Sequence, residues 1–115
     1  METKIRKIKS YARSNDKIPF EDWFKGLKDK AFKARILTRI DRLRFGNFGD
    51  CKSVGGGIFE LRMTFGPGFR VYFGLVGNEV VLLLGGGDKS TQQQDIKICQ
   101  RYWKEYNDGT EEKKK

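Results

Sequence analysis

The 115-residue chain contains no histidine. The side chain that most often shuttles protons near pH 7, and most often binds metals, is therefore missing. Its two cysteines, Cys51 and Cys99, are too few and too isolated for a disulfide framework or a four-ligand zinc site. They read as reduced thiols of a cytoplasmic protein. No window approaches the roughly 20 apolar residues of a membrane span, so no membrane partner is expected. The first residues, METKIRKIKSYARS, carry charge but no apolar block, and predict no secretory signal. Internal repeats and long low-complexity linkers are also absent. The length suits one domain over residues 1–107, followed by a polar tail, DGTEEKKK, that is expected to be disordered.

Positive charge is plentiful. The net charge is +9, and residues 1–50 hold 14 basic against 7 acidic residues. An excess of that kind predicts a polyanionic partner, nucleic acid or an acidic protein.

The chain is organised around residues 58–91. IFELRMTF, FRVYFGL and EVVLLLGGG read as three successive strands. In the first, Phe59, Leu61, Met63 and Phe65 alternate with Glu60, Arg62 and Thr64. In the second, Val71, Phe73 and Leu75 alternate with Arg70 and Tyr72. Successive strand side chains point to opposite faces, so antiparallel pairing puts Arg62, Arg70 and Tyr72 together on one polar face. Gly66-Pro67-Gly68 and Gly77-Asn78 supply the two reversals. The continuous apolar run Val80 to Leu84 predicts a strand covered on both faces.

Upstream, Lys4 to Tyr11 reads as a further strand. Phe20, Trp23, Phe24 and Leu27 then form one helical stripe, and Phe32, Ile36, Ile40 and Leu43 a second, in a helix from Lys30 to about Phe45 capped by Asp29. Arg35, Arg39 and Arg42 fall on an adjoining, exposed face of the second helix. A last helix starts at Ser90 and Thr91, with Gln93 and Gln94 completing a capping box, and buries Ile96, Cys99, Trp103 and Tyr106. The fold class is α+β, with two N-terminal helices and a C-terminal helix packed on a mainly antiparallel twisted sheet.

The chemistry concentrates in the cations. Arg62 and Arg70 are the only Arg or Lys residues between Lys52 and Lys89. Like charges sharing a sheet face repel unless an anion or Glu60 compensates, so the pair reads as a phosphate site. Lys89 follows Gly85-Gly86-Gly87-Asp88, where glycines ahead of a helix leave backbone N–H groups free for an anion. The run lacks the G-x-x-x-x-G-K-[ST] spacing of a nucleotide-binding loop.

Phe59-Glu60-Leu61-Arg62, Gly66-Pro67-Gly68-Phe69-Arg70-Val71-Tyr72-Phe73 and Leu82-Leu83-Leu84-Gly85-Gly86-Gly87-Asp88-Lys89-Ser90-Thr91-Gln92 resemble the HigB-type addiction-module killer branch of the RelE/ParE toxin superfamily. The resemblance spans about residues 3–107. It implies a compact RelE-like fold, and a cognate antitoxin of helix-turn-helix type as partner. It also implies cleavage of mRNA on the ribosome, with no cofactor and no metal. By resemblance Arg70 falls on the catalytic arginine, Lys89 near the second basic residue, and Lys52 on a further RNA contact.

Metal-free RNA cleavage needs a base, an acid and cations on the developing phosphorane. Arg62, Arg70 and Lys89 suit the last role. With histidine absent, Asp88, Asp95 and Tyr72 are the candidates for proton transfer. Arg35, Arg39 and Arg42 would dock the protein on ribosomal RNA. Two alternatives stay open: a ParE-like poison of gyrase acting by protein binding, and an inactive toxin-fold binding protein.

Overall fold

The computed structural model of the protein describes residues 5–113. It is an α+β structure in which a five-stranded mixed sheet carries helices on both faces. The strands are β1 (Lys7–Ser10), β2 (Cys51–Ser53), β3 (Phe59–Arg62), β4 (Phe69–Val76) and β5 (Val80–Asp88). Their order is β1-β5-β4-β3-β2. The ladders of β2, β3, β4 and β5 are antiparallel, while edge strand β1 runs parallel to β5, with Lys7 opposite Val80. Lys4, placed in this strand by the sequence pattern, lies outside the described residues.

Helix α1 (Pro19–Lys25) begins with proline at its first turn, where the missing N–H is no loss. Helix α2 (Lys30–Arg42) is capped as its sequence predicts: the Phe32 N–H donates to Asp29 Oδ1 at 3.0 Å. It tightens into a 3₁₀ turn, Leu43–Phe45, and is stopped by Gly46 at φ +75°. Both predicted stripes are buried in one core with Leu61, Met63, Val71, Phe73, Val81 and Leu83.

Helix α3 (Gln92–Lys113) covers the opposite face, where Cys99, Trp103 and Tyr106 pack with Ile58, Tyr72, Leu82 and Leu84. It continues past Asn107, where the composition suggests that a tail begins. Its start also differs from the capping-box expectation. Lys89–Thr91 form a 3₁₀ turn, and the cap is Asp88, whose carboxylate accepts the Ser90 N–H at 2.8 Å.

Three features of the sheet position the residues that carry charge. First, β3 ends at Arg62 instead of running to Phe65, because Gly66 and Gly68, at φ +61° and +80°, pull residues 63–68 into a turn. Second, a bulge shifts the β4–β5 register, so that Tyr72 faces Gly85 and Phe73 faces Leu83. Leu84 and Gly85 thereby both face α3, and the bulge resets the alternation beyond them. Third, the triple glycine lies inside β5, which runs on to Asp88. Gly85, Gly86 and Gly87 pair with Tyr72, Val71 and Arg70, so the expectation of free N–H groups ahead of a helix is corrected. Their job is close approach. A Cβ would strike Cys99 at Gly85, Trp23 at Gly86 and Asp95 at Gly87, so glycine lets α3 and α1 lie directly on the sheet.

Candidate functional site

The register puts Arg62 directly opposite Arg70 and Glu60 opposite Tyr72 on neighbouring strands. All four side chains share the α3 side of the sheet, as the alternation predicts. That side is not an open polar face, however. Gln92, Asp95, Cys99 and Trp103 of α3 cover it, leaving Glu60 and Tyr72 at 0% exposure and Arg70 at 6%. Arg62 stands at the margin, with its side chain 39% exposed.

A buried carboxylate needs partners, and Glu60 has three. Gln92 Nε2 donates to Glu60 Oε2 at 2.7 Å. Arg70 Nε lies 3.8 Å and Arg62 Nε 3.9 Å from Glu60 Oε1. These two contacts are ion pairs too long for hydrogen bonds, and Oε1 and both Nε atoms make none. The like-charge repulsion between the arginines is thus offset by a carboxylate set between them. Arg70 is fixed further through Nη1, which donates to the carbonyls of Gly68 at 3.0 Å, Phe69 at 3.1 Å and Met63 at 3.3 Å. Those carbonyls belong to the Gly66-Pro67-Gly68 turn and its flanks, so the guanidinium is locked to the loop that rims the site.

Arg62, Arg70 and Lys89 line one cleft of about 420 Å³, with Asp50, Thr64 and Pro67 among its other walls. Three cations distant in sequence therefore converge. Lys89 is exposed and reaches the cleft from the 3₁₀ turn after β5.

The proton-transfer candidates are placed differently. Tyr72 is sealed under α3. Burial, then the Glu60 and Asp95 carboxylates, hold its phenol far above its ordinary value. Asp95 packs on Gly87 and accepts a hydrogen bond from Thr91 Oγ1. Burial raises its carboxyl above the usual range and the Asp88 charge adds to this, against the Thr91 hydroxyl. Asp88 is engaged as the cap of the turn, taking both the N–H and the hydroxyl of Ser90. None of the three lines the cleft. Asp50 does, although its sequence surroundings give it no prominence. The available signal was register: Cys51 pairs with Leu61, and the Arg62 N–H donates to the Asp50 carbonyl at 2.9 Å, which sets Asp50 beside Arg62.

Of the outlying cations, Lys52 is exposed on edge strand β2 and does not line the cleft. Arg35, Arg39 and Arg42 line an adjacent groove, but Arg39 is not the free surface charge expected. Its Nη1 donates to the Arg62 carbonyl at 2.8 Å and its Nη2 to the Asp50 carbonyl at 3.5 Å, tying α2 to the cleft wall. The Arg35 guanidinium carbon lies over the Phe65 ring, 3.9 Å from its centroid. Among the described residues, no three His, Cys, Asp or Glu side chains gather as a metal site, and no helix is long and apolar enough to cross a membrane.

No protein-family model matches the chain, and no solved structure matches it. An uncharacterized protein of Haemophilus influenzae strain Rd is 55% identical over 80 residues, which cover 70% of this chain and 81% of that protein. At that identity and coverage the two share one fold and one descent, and the chain belongs to the family of that Haemophilus influenzae protein.

Proposed function

We propose that this protein is the toxin of a type II toxin–antitoxin module, with a RelE-like fold, and that it cleaves mRNA on the ribosome. The observation that carries this reading is the convergence of Arg62, Arg70 and Lys89 on one cleft, with Glu60 clamped behind the two arginines. The motif resemblance to the HigB-type killers supports it.

In the reaction proposed, the 2′-oxygen of the nucleotide 5′ to the break attacks phosphorus and gives up its proton to a base. The P–O5′ bond breaks and the leaving oxygen takes a proton, yielding a 2′,3′-cyclic phosphate and a 5′-hydroxyl. Negative charge grows on the phosphoryl oxygens between these events. Arg70, held through Nη1 and with Nε facing Glu60, is oriented before substrate arrives, which is where electrostatic stabilisation is most effective. Arg62 and Lys89, nearer to solvent, grip the same group. Asp50 is the carboxylate on the cleft wall and the best placed to take the 2′-proton. The partner proposed is an acidic antitoxin segment laid over the cleft, and the compartment is the cytoplasm.

The test is to map mRNA 5′ ends after a brief induced pulse of the protein and of Lys89→Gln, a change at an exposed side chain. The parent should produce new ends within coding sequence, and the variant about 100-fold fewer. Intact mRNA alongside DNA damage would sink the nuclease reading in favour of a gyrase poison.

A further inference from the structure

The cation cleft is not isolated. Thr64 lines both the cleft and the groove of Arg35, Arg39 and Arg42, so the two are neighbours that share a wall there. On the other side Lys89 lines both the cleft and a third groove, of about 620 Å³, which runs past Gln93 and Gln94 to Lys97. Through these shared wall residues the three grooves adjoin as a track, with Arg42 and Arg35 in the first, Arg62 and Arg70 in the second, and Lys89 and Lys97 in the third. Asp50 is the one carboxylate among the residues lining these three grooves.

One end of the track carries a feature that simple charge does not explain. The Arg35 guanidinium sits over Phe65, while Phe65 is fixed in turn against Phe32 and Phe69, with ring centroids 5.8 and 5.9 Å away. Arg35 is itself exposed. A planar cation backed by an aromatic ring is a stacking platform for an unpaired base.

We infer that this track binds a single RNA strand, with phosphates on Arg42, Arg62, Arg70, Lys89 and Lys97 and a base stacked on Arg35. It rests on the proposed function for the identity of the strand, and gives Arg35 and Arg42 a role on the substrate itself in place of ribosomal docking. An acidic peptide would satisfy the charges but has no use for the Arg35–Phe65 platform.

The experiment measures binding of the whole protein to a fluorescein-labelled nine-nucleotide 2′-O-methyl oligoadenylate, over a range of KCl concentrations. The 2′-O-methyl strand cannot be cut, so binding is read apart from cleavage. Each phosphate contact on a single strand contributes about 0.7 to the slope of log K against log salt. Arg42→Gln and Lys97→Gln should each make the slope shallower by about 0.7. Lys104→Gln, on α3 outside the three grooves, should leave it unchanged. Arg35→Lys keeps the charge and removes the plane, and should weaken binding about tenfold with the slope retained.

Slopes that ignore Arg42→Gln and Lys97→Gln, or respond equally to Lys104→Gln, would overturn the track. So would an oligoglutamate of equal charge that shows these slopes while the RNA shows none. If the slopes behave as expected and no mRNA is cut in cells, the track stands and the nuclease reading falls. If mRNA is cut while the slopes stay flat, the reverse holds.

Discussion

Glu60→Gln is the most informative single change, because it removes a charge while keeping the shape. The carboxylate is fully buried and sits 3.8 Å from Arg70 Nε and 3.9 Å from Arg62 Nε. At an effective dielectric of about 20, each such pair attracts by about 4 kcal/mol before any desolvation is charged against it. Solvent screens the half-exposed Arg62, so most of the net effect comes from Arg70. Breaking a buried pair by neutralising one partner costs roughly 3–5 kcal/mol. Glutamine still accepts the hydrogen bond from Gln92, so the lower end, about 3 kcal/mol, is expected. A domain holds about 5–15 kcal/mol in all, so the variant folds at room temperature. Its melting midpoint should fall by about 10–15 °C.

The same change should alter the response to anions. With Glu60 neutral, two arginines face each other with no counter-charge, and a phosphate in the cleft supplies what was lost. Inorganic phosphate at constant ionic strength should therefore raise the midpoint of Glu60→Gln more than that of the parent, as a ligand specific to the folded state does. Differential scanning fluorimetry with phosphate exchanged for chloride reads both effects. A variant that melts within about 2 °C of the parent and gains nothing from phosphate would refute the idea that Glu60 is the counter-ion of the arginine pair.

Other outcomes arise from particular contacts. Gly74 lies under the Trp103 ring, so Gly74→Ala should cost about 1–3 kcal/mol in denaturant melts, and Trp103→Leu in the same chain should recover part of it. Asp29→Ala removes the cap of α2 and should lower stability by about 1 kcal/mol by circular dichroism. Burial pushes Cys99 from 9.0 up to about 12, and burial and the Glu105 hydrogen bond push Tyr11 from 10.0 up to about 12. Both are neutral in the fold, so their contribution is complete below pH 9 and drains away as pH rises towards 12. Cys99 alone should account for about 1 kcal/mol lost by pH 10, and Cys99→Ala should flatten that part of the urea-melt pH profile. Glu105 runs the other way. Burial raises its carboxyl, but the hydrogen bonds from Arg13 and Tyr11 outweigh this and hold it below the ordinary value. Its contribution is present above the usual carboxylate range and lost on acidification, so Glu105→Gln should shrink the acid limb of the same profile.

The elements and their buried stripes were legible because amphipathic periodicity is a local property. Phe20 to Leu27 and Phe32 to Leu43 each show one face, and the alternation from Phe59 to Leu75 carries its own inside and outside. That Arg62 and Arg70 share a face was legible too, since alternation assigns each to a side; their direct opposition was not, because β3 ends at Arg62 and the turn is longer than Gly66-Pro67-Gly68. What lies on top of a strand face was not. Tyr72 and Arg70 read as solvent-facing because alternation says which side a residue takes and nothing about what covers that side. The cover comes from α3, packed close through glycines at 74, 85 and 87; the apolar run Val80 to Leu84 signals a second covered face on its own strand, but nothing local extends that cover to Arg70 and Tyr72. Asp50 was hidden for a related reason. It precedes a strand of three residues whose partner is set by tertiary pairing, and a loop rich in glycine offers no period to read.

The coverage by α3 bears on how the cleft can work. An arginine on an open sheet face is free to move and would lose side-chain freedom each time it gripped a phosphate. Arg70 has lost that freedom in folding: three carbonyls hold Nη1 and Glu60 faces Nε. Arg70→Ala is therefore a poor test of chemistry, because it takes a buried counter-ion from Glu60 and a donor from the Gly68 and Met63 carbonyls, and lowers stability along with activity. Lys89 and Arg62 are the sites at which charge can be removed without that confusion. Should Lys89→Gln and Arg62→Gln each abolish the effect on mRNA while melting like the parent, the cleft's charge acts on the substrate; should both be silent, the arginine–carboxylate cluster serves to join α3 to the sheet and nothing more.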